Sequence, residues 1–321
     1  MLKFVKPNTV LLLSERIIED NQSSQKYAHF DRAFIVTNEE GYDVLLKTAS
    51  KIFKDESIEF FGDFVATKNI DYIVSVQWGI LEAFLRLCYD QIVNGVVNMP
   101  HIAYDIYMNN TYRKYFPFLN FDEKILNDME SKMHQSTYDL LSYDDLCNID
   151  QDIALRHITV TLRYTCDRDT HQHLVENMDY RSCVGFSCNP TKYIVPVEVI
   201  QNGTFNTFKS ACNNMYKVYQ SLERDNYGVA KTILPGSSEH ELTIEMTLEN
   251  IIKFLNRYVN KSLFMETMEQ KVLIYLTCVL IKDAFGVFVG DQLDDITNFL
   301  AKDSDAIADA LSVWNNYNYG N

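Results

Sequence analysis

The stretch from Val272 to Gly290 constrains the fold most. It is apolar along nearly its whole length, yet it carries Lys282 and Asp283 at its centre. A membrane span would hold both charges near the mid-bilayer, at ~2.5–3.5 kcal/mol each. The segment therefore reads as a buried helix, and a helix apolar on all sides needs an extensive protein interior around it. The chain can supply one. It has 321 residues, 47% hydrophobic and 23% charged. That is room for about two domains of ~150 residues and for a core that needs no disulfide staples. Lys plus Arg number 29 against 44 Asp plus Glu, a formal charge of −15. Such a balance argues against duplex DNA or an anionic membrane as the main partner, since both demand a cationic face. A small anion held in a local basic pocket remains compatible with it.

The seven cysteines, Cys88, Cys147, Cys166, Cys183, Cys188, Cys212 and Cys278, are scattered, and no two form a CxxC pair. They read as reduced thiols in a cytoplasm. The N-terminal apolar run extends only from Val10 to Leu13 with no small-residue cleavage site after it, so no signal peptide is expected.

Leu2 to Leu13 reads as a strand broken by Pro7, Tyr42 to Phe53 as a helix, and Asp71 to Val96 as a long helix on the spacing of Ile73, Val76, Ile80, Phe84, Leu87 and Ile92. Further helices are expected at His101 to Tyr112 and Asp122 to Met133. The Tyr- and Phe-dense run from Tyr104 to Leu119 reads as a packing surface. Past Asp150, alternating β-branched residues make His157 to Thr165 a strand. A polar, histidine-bearing segment follows, then an irregular Gly/Cys/Asn/Pro stretch to Tyr193. Asn206 to Glu223 is helical, Gly236-Ser237-Ser238 turns the chain, and Leu242 to Thr247 is a short strand. Thr247 can cap a helix from Leu248 to Val259. Long helices at Phe264 to Val289 and Leu293 to Trp314 follow, and the polar tail is expected to fray.

Generic catalytic signatures are absent: there is no GxGxxG, Walker loop, GxSxG or HExxH. On a strand, His171 and His173 would share a face and could suit a metal, but no third ligand at metal spacing accompanies them, so solvent-facing histidines and no metal are expected.

Two blocks carry a family resemblance. The first is Leu155-Arg156-His157-Ile158-Thr159-Val160-Thr161-Leu162-Arg163-Tyr164, followed by Phe186-Ser187-Cys188-Asn189-Pro190-Thr191-Lys192-Tyr193. The second is Ala230-Lys231-Thr232-Ile233-Leu234-Pro235, continuing through Thr247 to Phe254-Leu255-Asn256-Arg257, with Glu266 beyond. Together they resemble the flavin-dependent thymidylate synthases (ThyX), over roughly Asp150 to Val289. The first block is similar to the family's Glu-His strand and S-x-R-Y segment, the second to its A-R-x-x-L-P and FLxLR helix.

The resemblance implies an α+β fold: a ThyX-like core with a mixed or antiparallel sheet and long helices, plus a helix-rich N-terminal addition. Residues 1–150 would hold a first core strand and the addition, and residues 151–321 the core with its C-terminal helices. It implies one-carbon transfer from methylenetetrahydrofolate to C5 of a pyrimidine deoxynucleotide such as dUMP, with FAD bound and NADPH as reductant. It implies substrate contacts at Lys231, Lys192, Arg181 and Arg257, with Arg257 and Arg181 serving catalysis, and flavin contacts at His157, Thr247 and Lys253. A homo-oligomer, a tetramer in the family, is expected, with Phe264 to Val289 as a candidate interface.

Several family positions differ. Arg156-His157 stands for Glu-His. The RHR triplet falls on Tyr180-Arg181-Ser182 or on Glu176-Asn177-Met178. Pro190 replaces a serine, Lys192 and Lys231 replace arginines, and the pyrimidine-binding arginine aligns with Tyr258, beside Arg257. Lysine keeps the charge but loses the planar fork that pairs bidentately with phosphate. Two further outcomes therefore stand beside the synthase: a pyrimidine hydroxymethylase, as in a phage with modified DNA acting in its host's cytoplasm, and a non-catalytic nucleotide-binding or assembly protein of the same fold.

Overall fold

The computed structural model describes residues 2–12, 33–36, 61–66, 70–75, 78–96, 101–108, 113, 116–132, 138–140, 143–180, 182–260, 265 and 267–320. The strands are β1 (Lys3–Val5), β2 (Asn8–Leu12), β3 (Ala33–Val36), β4 (Phe61–Ala66), β5 (Ile70–Ser75), β6 (Tyr138–Leu140), β7 (Thr159–Cys166), β8 (Ser182–Ile194) and β9 (Ser238–Thr247). The α-helices are α1 (Trp78–Val93), α2 (His101–Met108), α3 (Glu123–Lys132), α4 (Tyr143–Cys147), α5 (Gln151–His157), α6 (Arg168–Asn177), α7 (Val197–Gln201), α8 (Phe205–Glu223), α9 (Tyr227–Ile233), α10 (Leu248–Val259), α11 (Met268–Val289), α12 (Asp294–Ala301) and α13 (Ser304–Asn316). The class is α+β. The chain divides into two units, residues 1–12 with 160–321, and residues 13–159.

The first unit is built on a mixed five-stranded sheet of order β1-β8-β9-β7-β2. β1 runs parallel to β8, and β2 is antiparallel to β7. These two edge strands are consecutive in sequence, joined only by Lys6 and Pro7. Val5 to Asn8 can span ~10 Å at full extension, whereas four strand spacings in a flat sheet would separate the edges by ~19 Å. The sheet must therefore coil until its edges approach. Register irregularities in β8 between Asn189 and Tyr193 supply part of the bend.

The core lies against one face of this sheet. Val160, Leu162 and Tyr164 of β7 and Leu242, Ile244 and Met246 of β9 are all buried. The Tyr164 hydroxyl meets the Thr277 hydroxyl of α11 at 3.2 Å. Among the described residues, one helical segment, beginning at Met268, is long and apolar enough to cross a membrane. Its α11 part is packed inside this unit: Val272, Leu273, Ile274, Ile281 and Phe285 are buried, so its apolarity is used as core. The start expected at Phe264 lies outside the described residues, and Thr267 caps the helix.

The second unit holds a four-stranded sheet of order β4-β5-β3-β6, antiparallel at each pairing. Beside its helices, the expected helix-rich addition thus carries a sheet. Asp71 to Val96 is not one helix. Its first part is β5, because Ile70, Ile73 and Val74 are β-branched and find ladder partners on β3 and β4. The helix proper, α1, buries Leu81, Phe84, Leu85, Cys88 and Ile92 along one stripe. The aromatic run forms part of the same unit's core: Phe121 meets Tyr89 at a tilt and Tyr107 edge-on, and Phe116 is fully buried. The helix expected at Tyr42 to Phe53 lies outside the described residues.

Other expectations change with tertiary context. His157 ends α5 and does not open the strand, since Asp150 caps that helix and β7 begins at Thr159. The irregular stretch to Tyr193 is β8, a bulged strand. Leu293 to Trp314 is broken into a 3₁₀ turn, α12 and α13. Its amphipathic period persists because Leu293, Ile296, Leu300, Ile307, Ala310 and Trp314 all face inward. The tail does not fray. Tyr317 and Tyr319 pack on Phe205 at ring distances of 5.1 and 6.3 Å, and the Tyr319 hydroxyl donates to the Trp314 carbonyl at 3.1 Å. The buried Trp314 indole N–H in turn donates to the Val195 carbonyl at 2.7 Å. Trp314→Phe would leave that buried carbonyl without its donor. We expect a loss of about 2 kcal/mol in urea unfolding.

Candidate functional site

Strand β9 organises the residues of interest. Neighbouring side chains point to opposite faces, so Glu239, Glu241, Thr243, Glu245 and Thr247 share one face while Ser238, His240, Leu242, Ile244 and Met246 share the other. Both faces are buried: Glu239, Thr243, Glu245 and Thr247 are each at most 6% exposed. The register sets Ser187 and Asn189 of β8 beside this polar face. On β7, the fully buried Thr161 hydroxyl finds no hydrogen-bond partner among the described residues.

At the start of β9 three elements converge on its apolar side. Asp167 caps α6, accepting from the Thr170 backbone N–H at 2.9 Å and its hydroxyl at 2.8 Å. The Arg168 N–H donates to the Gly236 carbonyl at 2.8 Å, which ties the helix start to the turn before β9. Asn226 caps α9 by accepting from Val229 N–H at 3.1 Å, and that short helix presents Lys231 in its last turn before Pro235. The Lys231 ammonium sits 4.5 Å over the Tyr227 ring. Arg168 and Lys231 are both exposed. The His171 ring lies 5.0 Å from that of His240.

This surrounding sets the charge states. His240 is pushed from 6.5 down to about 4, first by burial and then by His171, Arg168 and Lys231. His171 is lowered by burial. Both imidazoles are neutral at physiological pH. Cys188, hydrogen-bonded to Ser238, is raised by burial even though Lys231 and Arg168 oppose the shift, so it remains a protonated thiol and a poor nucleophile. Burial also raises the thiols of Cys88, Cys166, Cys212 (to about 11) and Cys278 (to about 12).

Lys192 and Lys231, both expected to hold substrate, meet different faces of the strand. Lys192 pairs at 3.0 Å with Glu239, while Lys231 acts on His240, the next residue along. Glu239 is raised by burial, with Lys192 opposing and Glu241 adding to the shift. Arg257 lies at the far end of α6, donating to the Asn177 carbonyl at 2.9 Å. The ten residues of α6 span ~15 Å, so Arg257 is separated from Arg168 by about the length of that helix. There it satisfies an orphan carbonyl at the negative end of the helix. Arg181 lies outside the described residues, as does Glu266.

The residues assigned to FAD stand on three elements, β9, α10 and α5. The Thr247 hydroxyl caps α10, as its place before Leu248 implied, accepting from Asn250 N–H at 3.2 Å. Lys253 is 62% exposed and pairs with Glu249 at 2.7 Å. His157 is buried at the end of α5, in the other unit. Tyr258, aligned with the family's pyrimidine-binding arginine, is buried, and its hydroxyl meets His173 Nε2 at 2.8 Å.

His171 and His173 are half-buried and face opposite ways, one toward His240 and the other toward Tyr258. Two residues on a helix differ by ~200°, so neither the shared strand face nor the solvent-facing expectation holds. Among the described residues no group of three or more His, Cys, Asp and Glu is placed to hold a metal. Sequence reasoning missed Arg168, His171 as a partner of His240, and Glu239. Their one signal was the unusual run Ser238-Glu239-His240-Glu241 after a turn.

Two measurements check the electrostatics. Lys192→Met leaves the buried Glu239 carboxylate unpaired and should cost about 3 kcal/mol in urea unfolding; adding Glu239→Gln should recover most of that. His240 binds its proton more tightly in the unfolded chain, so its contribution to stability is complete above pH 6.5 and declines as pH falls toward 4. The loss approaches ~3 kcal/mol at the acid end. Unfolding curves at intermediate pH should show a shallower acid decline in His240→Gln than in the parent protein.

No family model matches the chain, and no curated protein matches it. Similar solved structures include the UMP/dUMP methylase PolB from Streptomyces cacaoi bound with 5-Br dUMP, at 14% identity over 42% of this chain and 71% of that one, with a TM-score of 0.35. The same enzyme bound with 5-Br UMP matches at 13% identity over 54% and 87% of the two chains, again with a TM-score of 0.35. Likeness at this level establishes neither the family nor the chemistry.

Proposed function

We propose that the protein binds a pyrimidine deoxynucleotide, dUMP or a relative, and acts in one-carbon transfer to its C5 position. The observation that carries this reading is that two exposed cations, Lys231 of the Ala230-to-Pro235 block and Arg168 of α6, both act on His240 and Cys188 at the buried start of β9. A lysine point charge beside an arginine fork suits a terminal phosphate. The acidic surface elsewhere favours a small anion over a polymer. The chain's own residues would bind and orient the nucleotide. FAD, with methylenetetrahydrofolate and NADPH as co-substrates, belongs to this reading through the family resemblance, as does a homo-oligomer that could share the site between subunits. A hydroxymethyl product is its variant form.

A second reading is a nucleotide-binding protein that keeps the fold without the reaction. It is favoured by the commitment of Thr247 to capping and of Tyr258 to His173.

Titration of the purified protein with dUMP tests the shared part. We expect saturable binding that weakens roughly tenfold or more in Lys231→Ala; unchanged affinity would remove Lys231 from the site. Flavin uptake, read as absorption at about 450 nm, separates the two readings. Uptake followed by release of the C5 hydrogen from labelled dUMP or dCMP supports the enzyme, and no uptake of added FAD supports the binding protein.

A further inference from the structure

We propose that a cavity at the starts of α6, α7 and α11 binds a small linear polyamine, a methylene chain carrying two or three ammonium groups. The cavity lies wholly within the larger unit, and the inference stands apart from the nucleotide reading.

The cavity has a volume of about 360 Å³. Two backbone hydrogen bonds fix its wall at the turn before β9: the Arg168 N–H donates to the Gly236 carbonyl and the Ile194 N–H to the Ser237 carbonyl, each at 2.8 Å. Four carboxylates line it, Asp167 and Asp169 at the start of α6, Glu198 on α7 and Glu269 on α11, and no basic side chain does. Among the described residues no ion pair satisfies any of the four. Asp167 uses both oxygens to cap α6. Asp169 and Glu198 are exposed. Glu269 is only 6% exposed. The Val197 N–H reaches its Oε1 at 3.3 Å, and its Oε2 has no hydrogen-bond partner among the described residues. A carboxylate so buried lacks the donors that would offset its desolvation. Burial pushes the Glu269 carboxyl up, its own backbone N–H opposes, and Glu198 and Asp167 add to the rise. The N-termini of α6 and α11 each offer only about half a positive charge, too little to balance four carboxylates.

The arrangement also selects the form of the cation. A divalent metal needs several oxygens converging on one point, and among the described residues no group of three or more His, Cys, Asp and Glu does so. Negative charge is instead distributed around the cavity wall, and a cation with its charges strung along a chain matches it. Ile194, Pro196 and Met268 line the same cavity and cover the methylenes between the ammonium groups. The volume equals that of roughly a dozen waters at ~30 Å³ each, enough for a triamine of about ten non-hydrogen atoms.

Spermidine is the probe, and magnesium is its compact counterpart. Calorimetric titration of the full chain at low salt and neutral pH should show one saturable spermidine site, with magnesium at least roughly tenfold weaker. Glu269→Gln keeps the shape and the acceptor for Val197. It should weaken spermidine roughly tenfold or more without lowering the urea midpoint of the ligand-free protein. A purely structural Glu269 would show the reverse, a lower midpoint with spermidine affinity intact. Asp169→Asn combined with Glu198→Gln changes exposed positions only, so it decides the matter if Glu269→Gln fails to fold; it too should weaken spermidine roughly tenfold. Absence of saturable binding, or unchanged affinity in a folded variant, overturns the proposal. Magnesium binding as tightly as spermidine also overturns it, since that is general attraction to an acidic surface.

Discussion

Burial of both faces of β9 is the constraint on which the larger unit depends. One face supplies Leu242, Ile244 and Met246 to the core beneath α6 and α10. The other carries Glu239, Thr243, Glu245 and Thr247, also withdrawn from water. Buried polar groups are costly without partners, so this face demands specific pairs, and Lys192 to Glu239 is one of them. Both ends of the strand are put to use. The first residues bring His240 into the field of Arg168 and Lys231, and the last hydroxyl starts α10.

The termini finish the structure around that strand. The first twelve residues contribute both edges of the sheet, and the two-residue link between them compels it to coil. The C-terminal segment then locks the β1 side, through the Trp314 indole on Val195 and through Tyr317 and Tyr319 on the Phe4 and Phe205 cluster. Chain ends that are distant in sequence thus stabilise one region. This accounts for the order of a polar tail that composition alone would leave loose.

Cations in so acidic a chain are few, and the fold assigns several of them to internal work. Lys192 neutralises a buried glutamate, Lys253 pairs along its own helix, and Arg257 satisfies a helix-end carbonyl. Lys231 and Arg168 remain exposed beside a neutral imidazole pair. Among the described residues the expected substrate set is in this way divided by geometry: Lys231 acts on His240, Lys192 pairs with Glu239, and Arg257 lies at the other end of α6. Arginine fits the C-terminal end of α6 for the same reason it fits phosphate: its fixed fork reaches acceptors that a point charge satisfies less well.

Local rules made much of this legible in the amino-acid sequence. Pro7 interrupts a strand because it lacks an N–H, Thr247 caps a helix through its hydroxyl, α8 and α10 follow from apolar spacing, and α11 from its continuous apolar run. Lys231 could be singled out from the block around it. Where local rules were ambiguous, the ladder decided: Ile70–Ser75 has spacings compatible with a helix, but its neighbours on β3 and β4 make it a strand. The same holds for Gly/Cys-rich β8. Arg168, His171 and His240 could not be joined from sequence, because one is a helix start, one a helix face and one a strand position some seventy residues on. By itself the sequence determined which segments could be helix, strand or cap, since those depend on neighbours a few residues away. Tertiary structure alone decided which charges meet and which are buried, because pairing and desolvation are set by side chains that chain distance does not bring together.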